Sequence, residues 1–160
     1  MSIDLFNTFR VRRALAEQNV TERQSFEYAV ASGVLGLVYG YWSGYVGWKV
    51  DWFSAYEILV AVGILFVGLK ECFRANGGDA GADFLKRLYV LNVPLGLKIF
   101  ALNVIVFFAS WYLFPLVITR DVFRDPSLVW QIYSFVWTNG LTVVYFWRMH
   151  AHLGAVRRMS

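Results

Sequence analysis

Four long windows almost free of charge, at residues 28–48, 53–69, 95–118 and 128–147, constrain this chain more than any other feature. Each is roughly 17–24 residues, the number an α-helix needs to cross a ~30 Å hydrocarbon layer at 1.5 Å per residue. A chain with 16% charged residues and a mean hydropathy of +0.49 has too little charge to cover a soluble domain built from such segments. Membrane-barrel strands would alternate apolar and polar residues over about ten positions, and no such alternation is present. The expected fold is an all-α membrane protein, a four-transmembrane-helix bundle of two antiparallel hairpins. Its spans are expected at 28–48, 53–70, 95–118 and 127–148, within a single domain covering 1–160.

Positive charge orients the spans. Arg10, Arg12, Arg13 and Arg23 precede the first. Lys70, Arg74, Lys86, Arg87 and Lys98 border the middle loop at 71–94, and Arg148, Arg157 and Arg158 follow the last span. Only Lys49, Arg120 and Arg124 fall on the opposite side. Both termini and the middle loop are therefore expected in the cytoplasm, with 149–160 as a cytoplasmic tail. The first 26 residues are polar and no small-residue cleavage site follows the first apolar run, so that run reads as an uncleaved signal-anchor. A bacterial inner membrane is the expected location. Basic residues that flank spans attract anionic head groups, and no separate basic cluster with stacking aromatics points to nucleic acid. The triplet Asn19-Val20-Thr21 has the form of a glycosylation site but lies on the cytoplasmic side. Cys72 is the sole cysteine, which excludes an internal disulfide.

Short amphipathic segments are expected at the membrane surface. In the cytoplasmic segment 1–26, Leu5, Phe6 and Phe9 share a side edged by Arg10 and Arg13, which suits an interfacial helix. Thr21-Glu22-Arg23-Gln24 reads as a capping box that starts the first span. Gly77-Gly78 ends the second span. Asp79 or Asp83 then caps a short helix presenting Phe84, Leu85, Leu88 and Leu91, and Pro94 opens the third span. Asp125-Pro126 opens the fourth.

The first span raises a second constraint. Ser32, Gly36, Gly40 and Gly44 recur every four residues and share one helix face, although glycine costs a helix about 1 kcal/mol relative to alanine. In lipid the backbone has no other partner for its polar groups, so these glycines form a small-xxx-small contact surface rather than a break. Ser134, Thr138 and Thr142 form a similar stripe on the fourth span. Packing of the first span on the fourth within one chain is the leading expectation, with contact to another copy as the rival.

The intramembrane polar residues are Glu57, Asn103, Gln131 and Asn139. Glu57 lies near the outer end of the second span, within reach of Lys49. Asn103 and Asn139 fall at similar depth, so a hydrogen bond joining the third and fourth spans is expected. The rival is a wet path along Gln131, Thr138, Asn139 and Thr142. Lys98 is expected to reach the cytoplasmic head groups or pair with Glu71. Tyr41, Trp42, Tyr45, Trp48, Trp52, Phe53, Tyr56, Trp111, Tyr112, Trp130 and Tyr133 suit an outer aromatic belt, with a quinone or lipid tail as the alternative. His150 and His152 stand two apart, a poor chelate on a helix, and no histidine lies within a span to hold haem. No phosphate loop, carboxylate pair or nucleophile triad can be assembled. No enzyme activity, catalytic residue, metal or cofactor is expected.

The functional expectation is a small multi-pass membrane protein acting by self-association, a homo-oligomer forming a pore or channel-like assembly in the lipid bilayer. The alternative is a non-catalytic accessory or anchoring subunit bound to another membrane protein.

Overall fold

A computed structural model of the chain describes residues 7–45, 52–81, 83–117 and 126–159. Among these the protein is helical, with no strand. Helix α1 covers Thr8–Ala16, α2 Glu22–Tyr45, α3 Trp52–Asn76, α4 Phe84–Val117 and α5 Pro126–Met159, with a 3-10 turn at Gly78–Ala80. The all-α expectation holds. Of the four expected spans, one stretch among the described residues, Phe84–Ser110, is by itself long and apolar enough to cross a membrane. The other long helices run charged turns into their ends, with Glu22, Arg23 and Glu27 in α2, Glu71 and Arg74 in α3, and Arg157 and Arg158 in α5.

Local sequence explains where the helices start and stop. Asn7 accepts hydrogen bonds from the Phe9 and Arg10 amides and caps α1. The capping box of α2 forms in both directions: the Gln24 amide donates to Thr21 Oγ1 at 3.3 Å, and the Thr21 amide donates to Gln24 Oε1 at 3.0 Å. Helix α3 stops at Asn76 because Gly77 takes a φ of +114°, a left-handed conformation that disfavours any side chain. Pro94, expected to open a helix, instead lies inside α4, fully buried. Its missing N–H leaves one carbonyl of α4 without its usual partner, and neighbouring contacts hold the helix continuous. The short helix expected before Pro94 is thus the first part of a single long α4. Pro126 opens α5 as expected, while Asp125 lies outside the described residues.

The packing order differs from two antiparallel hairpins. Helix α4 packs on α5, α2 packs on α4, and α3 packs on α5. Helices α4 and α5 run antiparallel, as the contacts Asn92–Tyr145, Asn103–Trp137 and Ser110–Tyr133 show. Helix α2 runs parallel to α4, with Ser32 opposite Tyr89 and Leu35 beside Gly96. Helix α3 runs parallel to α5, with Tyr56 on Phe135 and Gly68 on Phe146. The second expected hairpin is therefore formed by α4 and α5. In the first, the two arms do not pack together among the described residues, because each finds a partner in the central hairpin instead. The order across the layer is α2, α4, α5, α3.

The tightly packed core occupies one end of this layer. It gathers Leu91 and Val93 from α4, Met149, Leu153 and Val156 from α5, Cys72 from α3 and Tyr28 from α2. Helix α1 completes it by burying Val11, Ala14 and Leu15 against α4 and α5. The buried face of α1 is Val11, Ala14 and Leu15, whereas the face expected at the membrane surface is Leu5, Phe6 and Phe9. Leu5 and Phe6 lie outside the described residues, and Phe9 is exposed with the Arg12 guanidinium 5.2 Å from its ring. A polar clasp ties the turn to this core: Arg87 is buried and donates to Asn76 Oδ1 at 3.2 Å. At Gly81 a Cβ would stand 2.4 Å from the Asn76 carbonyl oxygen, so the close approach that forms the clasp needs glycine there.

Candidate functional site

Away from the core end, the long helices turn apolar side chains outward. Leu59 and Phe66 on α3 are each 71% exposed, Ile105 on α4 65% and Val136 on α5 63%. Exposing such a side chain to water forgoes about 1.5–3 kcal/mol. The Phe84–Ser110 stretch is only 28% buried, unlike the core helix of a soluble domain. In proteins generally, exposed apolar surface of this kind occurs where lipid or another apolar surface is met.

Within this surface lies a groove of about 600 Å³ between α3 and α5. Its walls are Val60, Ile64, Val67, Val143 and Trp147, and Gly63 and Gly68 lower its floor. Glu71 and His150 stand at its polar end. Glu71 is already engaged by Arg74 at 2.6 Å. The groove can accept an apolar chain, but it holds no nucleophile beside a base. No group of three metal-binding side chains occurs among the described residues.

The small-residue surface of α2 divides in two. Ser32 is buried, and its hydroxyl donates to the Tyr89 carbonyl of α4 at 3.3 Å. One turn later Gly36 has no atom within 4 Å of the position a Cβ would take, and the same holds for Gly33. Gly40 and Gly44 lie outside the residues whose surroundings are described. The partner of α2 is thus α4, and the stripe Ser134, Thr138 and Thr142 on α5 does not meet it among the described residues. Tyr28, Ser32 and Leu35, spaced four and three apart, carry this contact. An apolar i, i+4, i+7 reading with serine as the close-approach point would have found it.

Of the polar residues expected within the spans, Asn103 and Asn139 have hydrogen-bond partners on α4 or α5. Asn103 accepts from Trp137 Nε1 at 3.2 Å, so α4 and α5 are joined by a polar bridge at this depth. Asn139, the expected second partner, is buried and donates to the Phe135 carbonyl of its own helix at 2.9 Å. Thr142 likewise donates to the Thr138 carbonyl at 2.9 Å. Indole is the longer donor, and Trp137 reaches across where an asparagine does not. Gln131, Ser134 and Glu57 are half-buried. Lys49 and Trp48 lie outside the described residues, and Tyr41, Trp42, Tyr45, Trp52, Phe53, Trp111 and Trp130 lie outside those whose surroundings are described. Of the others, Tyr112 is exposed, Tyr133 hydrogen-bonds Ser110 and Tyr56 stacks on Phe135. Tyr145 donates to Asn92 in a second bridge between α5 and α4 that sequence reasoning missed.

At the core end, Lys98 donates to Thr8 Oγ1 of α1 at 3.1 Å rather than pairing with Glu71. Cys72 is wholly buried and its thiol lies 3.9 Å from the Phe146 carbonyl. Burial, with the negative charge of Glu71 adding to it, pushes the thiol up to about 11. His152 is half-buried. Burial first, and then the charges of Arg12, Arg148 and Lys98, hold its imidazole below the ordinary histidine range.

No protein family, curated protein or solved structure matches this chain.

Proposed function

We propose that the chain is an integral membrane protein whose four long helices cross the bilayer and which acts by association, most simply with copies of itself. The observation that carries this reading is the confinement of the packed core to one end while the remaining helix lengths turn apolar side chains outward. Hydrocarbon satisfies such surface where water does not. The open positions at Gly33 and Gly36 support self-association, because a small-residue face lets a second helix approach closely. Asn139 and Thr142 donate to carbonyls of their own helix, so a pore in this reading forms between copies rather than within one chain.

Gly36→Leu separates contact within the chain from contact between chains. A Cβ at this position meets no atom within 4 Å in the single chain, and leucine suits a helix better than glycine. The variant should therefore fold normally yet lose self-association, as measured by native mass of the particle in mild detergent. A wild-type particle at the single-chain mass of 18.4 kDa would refute self-association and leave the accessory-subunit reading. Absence of flux in reconstituted vesicles of the assembled wild type would refute the pore. Extraction from membranes by alkaline carbonate would refute the spanning arrangement.

A further inference from the structure

We propose that the junction of α1, α4 and α5 is a binding site for a phosphate group, held by Arg12, Lys98 and Arg148 with His152 at its base. These residues come from three different helices that pack together at the core end. The contact of Lys98 with Thr8 fixes the α4 cation against the start of α1. Arg148 precedes His152 by four residues and so shares its face of α5.

Two polar atoms at this junction are buried without a hydrogen-bond partner: Nε of Arg12 and Nδ1 of His152. The first is an obligatory donor, and the second becomes a donor in one imidazole tautomer. Buried donors of this kind call for acceptor oxygens. The charges that act on His152 are Arg12, Arg148 and Lys98, all positive, with no carboxylate among them. Glu17, which follows α1, is engaged with Arg13 at 2.7 Å. Among the described residues the charge acting here is positive and comes from three helices, and with two buried polar atoms unpartnered it matches the several oxygens of a phosphate better than a single carbonyl.

Lys98 and Arg148 lie at the cytoplasmic ends of the proposed third and fourth spans, the level at which anionic lipid head groups occur. A lipid phosphate and a free phosphate share the chemistry this junction recognises. The lipid source rests on the bilayer reading above, whereas the free-phosphate source does not.

The test uses the full chain in a detergent with an uncharged head group. Two probes are added separately: inorganic phosphate, and phosphatidylglycerol compared with phosphatidylcholine. The His152 imidazole is followed by NMR, with His150→Gln assigning the signal. Either probe, once bound, should move the imidazole midpoint upward by about one pH unit, because an anion favours the imidazolium. Phosphatidylcholine should not move it. Native mass spectrometry should show one retained probe, and each cation removed in Arg12→Gln and Arg148→Gln should weaken retention about fivefold, the equivalent of about 1 kcal/mol. A response to phosphatidylglycerol alone assigns the head group, and a response to inorganic phosphate alone assigns a soluble ligand. If neither probe moves His152 in the wild type, the proposal is wrong, whatever the fate of the variants. Equal retention by wild type and the folded double variant would also overturn it. A chain that leaves the membrane in carbonate yet still responds to inorganic phosphate would refute the bilayer reading alone.

Discussion

Gly68→Ala tests how tightly α3 is fitted to α5. A methyl at position 68 would stand 2.3 Å from Cγ of Phe146 and 2.6 Å from each Cδ. Carbon atoms in contact prefer about 3.5–4.0 Å. The ring or the helix must therefore yield by more than 1 Å, and the ring carbon nearest the methyl is the one least able to swing away. Overpacking of this kind costs about 1–3 kcal/mol, while replacing glycine by alanine in a helix returns about 0.5–1 kcal/mol. The net expectation is a destabilisation of about 0.5–2 kcal/mol. Phe146 is buried, and Phe146→Ala alone should cost about 3–5 kcal/mol. In the double variant the new methyl occupies part of the vacated space, so the two costs should sum to less than they do separately. Unfolding in mixed micelles, followed by far-ultraviolet circular dichroism as denaturing detergent is added, measures all four proteins. A Gly68→Ala protein as stable as the wild type, or strictly additive costs, would refute the close approach.

Three further outcomes follow from the same packing. Asn76→Ala removes the acceptor of buried Arg87 and should lower stability by about 1–3 kcal/mol in the same titration, whereas Asn76→Asp should keep an acceptor and lose less. Trp137→Phe deletes the donor to Asn103 and should cost about 0.6–2 kcal/mol; an Asn103→Leu background should abolish the part of that loss due to the hydrogen bond. Cys72 is held protonated to about pH 11, above the 9.0 of a free thiol, so the native chain keeps a proton that the unfolded chain gives up. Its contribution to stability is therefore complete below about pH 9 and is lost as pH rises toward 11. A water-soluble maleimide should accordingly label native protein slowly at neutral pH and denatured protein fully, and equal rates would contradict the burial.

Periodicity and capping chemistry made most of the helices readable in the sequence. The reciprocal bonds of Thr21 and Gln24 start α2 where expected, and Gly77 stops α3, because both devices act within a few residues along the chain. Apolarity over a long window likewise announced the part of α4 that follows Pro94. Pro94 misled because its local effect on a helix is strong, while the contacts that carry the helix through it come from other elements.

Which helix meets which was a tertiary decision. Short connections suggested sequential hairpins, but α2 and α3 each gain more by packing on the central α4–α5 pair. In α2, Ser32 rather than the glycine row makes the contact with α4, since a small-residue spacing specifies how closely a helix can approach without naming its partner. The asparagine at 103 was legible as a polar bridge, yet its donor is Trp137, because side-chain length and rotation about the helix axis choose the partner at a given depth. The docking of α1 and the gathering of Arg12, Lys98, Arg148 and His152 were likewise invisible in one dimension. Residue 12 acts on residue 152 only because the folded helices bring distant segments of the chain to one end.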